Sequence, residues 1–220
     1  MQNEQVESYS ALELRQLEKL QAQFSLSRAQ VLQISDYADF VLAENKNINL
    51  TGYREKSQVL SSLFADSLWA GKFIDFNKLS SICDVGTGAG FPGLALKIAF
   101  PHLKVFLIEL TTKKVEFLRK VIERYNFQDV EIVSIDWRTF NRKTNFDIDL
   151  FLSKAAFGEL EIVRMFRGNC NYQDKTLIYW ASSAWQCDPL AEGFVGKAFN
   201  YKQGCKNMTL VEFKNLKNKK

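Results

Sequence analysis

The chain has 220 residues, of which 46% are hydrophobic and 25% charged, with a formal net charge of +4. That describes a soluble globular chain of one domain with a small extension. No apolar run approaches the roughly 20 residues of a membrane span, and the opening MQNEQVESYS has neither a basic nor an apolar signal region, so a cytoplasmic protein without a membrane partner is expected.

The first 46 residues carry seven acids and four bases, the other 174 carry 18 and 25. A mildly basic body ending in KNLKNKK suits a polyanionic partner such as RNA. The four cysteines, Cys83, Cys170, Cys187 and Cys205, contain no C-x-x-C pair, and the lone histidine, His102, follows a proline. Reduced thiols, and no metal site, are the expectation.

In chain order, Ser10-x-x-Glu13 is a capping box followed by Leu14, Leu17, Leu20 and Phe24 at helical spacing. A second start, Ser27-x-x-Gln30, leads into Val31, Ile34, Ala38, Val41 and Leu42. The polar loop NKNINLTGYR separates these from an apolar helix with Val59, Leu60, Leu63, Phe64, Leu68 and Trp69. SSICDV then reads as a short buried strand, DVGTGAGFPG as a loop, and GLALKIAF as a short helix ended by Pro101. KVFLIE, VEIVSI, DIDLFL, TLIYW, FVGKAF and MTLVEF are further strands. TTKKVEFLRKVIERY is a helix with Val115, Leu118, Ile122 and Tyr125 on one face. Strands alternating with helices predict an α/β fold, a doubly wound and mostly parallel sheet over 76–220, with a helical extension over 1–75 packed on it.

The glycine loop poses the functional question. Gly88-x-Gly90-x-x-Gly93 satisfies a dinucleotide fingerprint, and Glu109, about 20 residues on, suits ribose hydroxyls in a dinucleotide or in S-adenosylmethionine (SAM). Three features favour SAM. Asp84 would hold the ammonium of a methionine moiety and repel a pyrophosphate. Pro92 removes a backbone amide from the helix start, and Phe91 would pack near the sulfonium or adenosine. No G-K-[ST] follows the loop, which rules out a Walker site. For the methyl acceptor, the chain lacks [DN]-P-P-[FYW] and any Pro-Cys or Thr-Cys nucleophile. A guanine N7 carries a lone pair and no proton, so such an acceptor needs positioning rather than a base.

These residues together resemble a known family, the bacterial 16S rRNA guanine-N7 methyltransferases (RsmG, also called GidB). NKNINLTGYR at 45–54 is similar to its N-K-x-x-N-L-T-x-x-R, FADSL at 64–68 to its F-x-D-S-L, and DVGTGAGFPG to its loop. KKVEFL at 113–118 resembles its K-R-V-x-F-L, and SKAAF at 153–157 its S-R-A-F, so the likeness covers about residues 30–165. The resemblance implies a Rossmann-like SAM-dependent methyltransferase fold, SAM as cofactor with S-adenosylhomocysteine as product, and 16S rRNA as partner, naked or within a small-subunit particle, with the protein a monomer. It places Gly86 and Phe91 at the cofactor, Glu109 at the ribose, and Trp137 with Arg138 near the adenine; Asp84, Thr87, Gly88 and Gly90 of the loop, and Asp136, close enough to stand in for the acid usual at Arg138, complete the expected cofactor-binding set. Lys154 stands where the family has an arginine near cofactor and RNA, and is the one candidate for a catalytic role.

Asn49, Arg54, Lys113 and Lys154 are the RNA-binding candidates, while Phe157, Trp180 and Trp185 suit either base stacking or the core. Departures from the family pattern fall at Ser62 and Leu63 (SLFADS for R-H-F-x-D-S), at Arg138 where an acid is usual, at Ala181 where a lysine is, and at Asn207-Met208 in place of R-H. Two other readings are an RNA-binding or assembly factor that has lost catalysis and an NAD-dependent oxidoreductase. The second lacks a hydride-transfer site, since the only histidine lies in PHLK.

Overall fold

The computed structural model describes residues 10–182 and 184–216. The basic residues 217–220 of the tail lie outside the described residues. Helices α1 (Ala11–Phe24) and α2 (Arg28–Asn45) both start in full capping boxes, Ser10 with Glu13 and Ser27 with Gln30, so each satisfies backbone donors at its first turn. The next apolar stretch is a composite helix. It comprises α3 (Lys56–Val59), a π-helical stretch (Leu60–Ala65) and α4 (Asp66–Leu68).

From Ser81 onward strands and helices alternate: β1 (Ser81–Val85), α5 (Gly93–Ala99), β2 (Lys104–Ile108), α6 (Thr112–Arg124), β3 (Val130–Val133), α7 (Trp137–Lys143), β4 (Leu150–Lys154) and α8 (Glu159–Ile162). Three strands close the chain: β5 (Thr176–Ser182), β6 (Val195–Gln203) and β7 (Lys206–Lys214). They form one seven-stranded sheet in the order β3-β2-β1-β4-β5-β7-β6. Pairings among β1 to β5 are parallel, and β7 enters antiparallel between β5 and β6. This is the doubly wound, mostly parallel α/β sheet expected from the alternation.

Side chains on a strand alternate between faces, and the sheet divides its core accordingly. Ile82, Val105, Leu107, Leu152 and Ile178 face α1, α2, the composite helix, α5 and α6 in one continuous cluster. Cys83, Val85, Phe106, Phe151 and Leu177 face α7, α8 and the turn after it. The chain order reverses between β1 and β4, and that reversal opens a crevice beyond the carboxyl ends of the strands.

Some side chains depart from the helical phase expected. On α6 the buried set is Val115, Phe117, Leu118 and Val121, with Ile122 only half-buried. Phe117 stacks on Phe40 of α2, because α6 is covered by a second helix as well as by the sheet, which widens its apolar face.

Candidate active site

The loop after β1 carries the glycines into the crevice. Gly86, Gly88 and Gly90 all have positive φ, at 73°, 58° and 88°, a region costly for other residues. At Gly86 a β-carbon would also collide with Ala156 beyond β4, so only glycine lets the two loops meet. Gly86 and Thr87 both donate their amides to the Ile108 carbonyl, which pins the loop to the end of β2.

Two acids brace the loop from opposite sides. Asp84 is fully buried on β1. Its Oδ2 accepts from the Thr87 hydroxyl at 2.6 Å and the Gly93 amide at 2.8 Å, while its Oδ1 is buried without a partner. Burial dominates and raises its pKa to about 7, against the lowering effect of those two hydrogen bonds. Glu109, just past β2, accepts from the Gly88 amide through Oε2 at 3.1 Å, and from the Leu110 and Thr111 amides through Oε1 at 3.0 and 2.8 Å. Its carboxylate is therefore fixed by three backbone donors.

Between the β1 and β4 loops lies a cavity of about 370 Å³, lined among others by Gly86, Glu109, Leu110, Lys114, Trp137 and Phe157. Its volume is within the range of small-molecule sites, and its wall is about as polar as it is apolar. One preset carboxylate facing apolar Leu110, Ile135 and Trp137 fits an adenosyl group: the acid for ribose hydroxyls, the apolar faces for the purine. Trp137 is buried and donates its indole N–H to the Glu161 carbonyl at 3.3 Å, so its ring is held in place.

Not every residue expected at the cofactor is on this wall. Phe91 is turned into the core, stacked on Tyr37 and edge-on to Phe64. The apolar helices covering the first face of the sheet take up its ring, which corrects the expected packing against a sulfonium. Asp84 lies behind the loop, and Thr87, Gly88 and Gly90, though in it, are not among the residues lining the cavity. Gly90 packs against Tyr37, whose hydroxyl donates to the Ala89 carbonyl at 2.8 Å. Asp136 caps α7, accepting from the Thr139 amide at 3.0 Å. A hydrogen bond with the Thr139 side chain first, and then this capping, keeps its carboxyl below the usual range. Arg138 is drawn off the cavity by a bidentate pair with Glu161, at 2.7 and 2.9 Å.

Lys154 is committed elsewhere too. Its ammonium sits 2.8 Å from Asp66 and donates to the Ser62 carbonyl at 2.8 Å. Asp66 is buried, accepts from the Tyr201 hydroxyl at 2.6 Å, and its carbonyl accepts from the Trp180 indole. Burial first, then the Asp66 charge, pushes the Tyr201 hydroxyl pKa far up. At the divergent Ser62 and Leu63 it is thus the backbone that serves the network, the Leu63 carbonyl taking the Ser67 hydroxyl at 2.6 Å. Ala181 is buried in the second core cluster.

Among the RNA candidates, Arg54 donates to the Thr51 and Tyr53 carbonyls at 2.9 and 3.3 Å and so orders its own loop. Asn45 does the same from α2, with hydrogen bonds at both ends of its amide. Asn49 and Lys113 are exposed, and Lys114, one residue on, is the lysine that reaches the cavity. Sequence reasoning missed Leu110, Thr111, Ile135, Ala155 and Ala156 on the wall. Their one signal was position, each lying just beyond a strand's carboxyl end.

Comparison with known proteins agrees with this geometry. The profile of the rRNA small subunit methyltransferase G family (GidB) matches residues 30–185. The chain belongs to that family. It is 40% identical over 119 residues to the ribosomal RNA small subunit methyltransferase G of Bacillus subtilis (strain 168), which is 54% of this chain and 50% of that protein. With the protein of the same name from Listeria monocytogenes serotype 4b the identity is 37% over 133 residues, 60% of this chain and 56% of that one. The chain thus aligns with about half the length of these relatives. Among solved structures, MtNAS in complex with MTA and tNA superposes with a TM-score of 0.58 at 18% identity, covering 83% of this chain and 70% of that one. The delta-N METTL16 MTase domain superposes at 0.56 and 15%, covering 81% and 94%. At such identities these two show the fold alone, a Rossmann-like methyltransferase sheet. No described helix is long and apolar enough to cross a membrane.

Proposed function

We propose that this chain is a cytoplasmic, monomeric SAM-dependent methyltransferase that methylates N7 of a guanine in 16S ribosomal RNA, free or in a small-subunit particle. The observation that supports it most is the cavity at the chain reversal, with the glycine loop on one side and the preset carboxylate of Glu109 on another. Bound SAM supplies a methyl group made electrophilic by its cationic sulfur. Glu109 holds the ribose hydroxyls without reorganising, since its backbone donors fix it beforehand. Leu110, Ile135 and Trp137 enclose the purine, and Gly86 lets the loop lie close against the ligand. Asp84 is a positioning residue, holding Thr87 and Gly93 from behind. The acceptor nitrogen forms its new bond with its own lone pair, so orientation provides most of the rate and no wall residue need remove a proton. Lys154, tied to Asp66, positions the composite helix beside the site.

Calorimetric titration with SAM, S-adenosylhomocysteine and NAD tests the cofactor, and mass spectrometry of 16S rRNA after incubation with SAM tests the acceptor. SAM and S-adenosylhomocysteine binding with a single N7-methylguanosine is expected. Binding of NAD alone, or rRNA left unmodified in both naked and particle form, overturns the reading.

A further inference from the structure

A second cavity, of about 200 Å³, lies on the α7 side of the sheet, away from the glycine loop. It is lined by Arg138, Asn141, Arg142, Arg164, Arg167 and Asn169, with Cys170. Four guanidinium groups converge there from two segments. Arg138 and Arg142 are one turn apart on α7 and share a face. Arg164 and Arg167 come from the turn after α8.

One carboxylate serves two of the four. Glu161 pairs with Arg138 and, at 2.9 Å, with Arg164. Arg142 and Arg167 have no ion pair among the described residues. Yet the cluster is built rather than splayed. Arg142 donates through Nε to the Arg138 carbonyl at 3.1 Å, Asn171 donates to the Arg142 and Thr144 carbonyls, and the Cys170 thiol donates to the Arg164 carbonyl. Four like charges held together in a concave site are mutually repulsive unless an anion joins them. The forked geometry of guanidinium suits phosphate oxygens in particular. Asn141 adds an independent sign. It is 1% exposed, and its side-chain oxygen has no partner. That is an acceptor awaiting a donor beside an anion site, the pairing that a ribose 2′-hydroxyl next to a phosphodiester offers.

We infer that this arginine cavity binds a backbone phosphate of the RNA that the protein modifies, with Asn141 accepting from the neighbouring 2′-hydroxyl. The inference rests on the reading of the chain as an RNA methyltransferase. Trp137 and Arg138 are consecutive, so the first turn of α7 belongs to both cavities. Arg142 lies about 6 Å beyond Arg138 along the helix axis at 1.5 Å per residue. An RNA strand anchored here would run beside the cofactor site without touching its wall.

The test is the double variant Arg142→Gln, Arg167→Gln, both exposed positions, compared with wild type for SAM affinity, RNA affinity against salt, and steady-state methylation. Unchanged SAM affinity is expected, together with a roughly five- to tenfold weaker RNA affinity and a salt slope shallower by about one unit, as one lost phosphate contact gives. KM for RNA should rise while kcat is kept. If wild type methylates RNA and the double variant matches it in affinity and salt slope, the assignment is overturned. Wild type that binds RNA but transfers no methyl group refutes the enzyme reading instead, and the variant's RNA affinity still decides the site. Wild type that binds no RNA overturns both. Stabilisation by inorganic phosphate that the double variant loses, with RNA affinity untouched, assigns the cavity to a free anion and also overturns it. For the hydroxyl, Asn141→Leu should narrow the preference for RNA over DNA of the same sequence, and an unaltered preference refutes that part.

Discussion

Two buried carboxylates on the same side of the sheet have opposite surroundings. Asp66 has a lysine at 2.8 Å, a tyrosine hydroxyl at 2.6 Å, and its own carbonyl bonded to a tryptophan indole. Asp84 has only a hydroxyl and an amide, both on one oxygen, and burial lifts its pKa to about 7. A buried charge is tolerated when a countercharge and hydrogen bonds replace its water. Asp66 meets that condition and reads as a fastener between the composite helix, β4 and the β6–β7 hairpin. Asp84 does not meet it, and such unrelieved groups concentrate where a fold keeps a ligand loop in place.

The contrast is most sharply broken at the paired site. Asp66→Leu should destabilise the protein by about 3–5 kcal/mol, because the largely buried Lys154 loses its countercharge and the Tyr201 hydroxyl its acceptor, and urea unfolding measures it. Adding Lys154→Met should recover much of that loss. A double variant as unstable as the single one would mean that the ion pair is not what matters there.

At the loop, Gly86→Ala combines positive φ with a collision against Ala156 and should cost about 1–3 kcal/mol. Because Gly86 lines the cavity, SAM affinity should drop more than tenfold. Glu109→Gln keeps one acceptor oxygen where the carboxylate has two, so either the Gly88 amide or the Leu110 and Thr111 amides lose their partner and bonds from ligand hydroxyls weaken, a loss of about 1.5 kcal/mol, roughly tenfold in SAM affinity, by calorimetry. An unchanged dissociation constant would remove Glu109 from the ribose.

The last effect is the most specific to Asp84. Its pKa is raised in the folded state, so the native protein holds this proton more tightly than the unfolded chain does. The associated stability is fully present below the unfolded value near 4 and is lost as pH rises through about 7. Asp84→Asn keeps an acceptor for Thr87 and Gly93 but cannot titrate. The stability difference, wild type minus variant, should therefore decline between about pH 4 and 7 and level off above; a flat difference would place the Asp84 pKa in the ordinary range.

Much of this arrangement was legible in the sequence because it follows from local chemistry. The capping boxes at Ser10 and Ser27, the alternation of strands and helices, and the glycines answered by Glu109 each have a short-range cause. What could not be read depended on contacts between distant segments. Phe91 turns inward because α2 and the composite helix offer Tyr37 and Phe64 to it. Lys114 rather than Lys113 reaches the cavity, a choice of helix phase that two adjacent lysines cannot reveal. Arg138 and Arg164 meet only through the Glu161 that both contact. Lys154, expected near the cofactor and RNA, is instead held by Asp66.

One hydrogen bond from α2 carries a wider consequence. The Tyr37 hydroxyl reaches the Ala89 carbonyl from a ring that touches Phe64, Phe91 and Tyr125. That bond and those ring contacts tie α2 to the loop after β1, so the two should open together. Whatever quiets the loop should slow hydrogen exchange in α2, and a chain shortened to begin beyond α2 should hold its ligand more loosely despite an intact cavity wall.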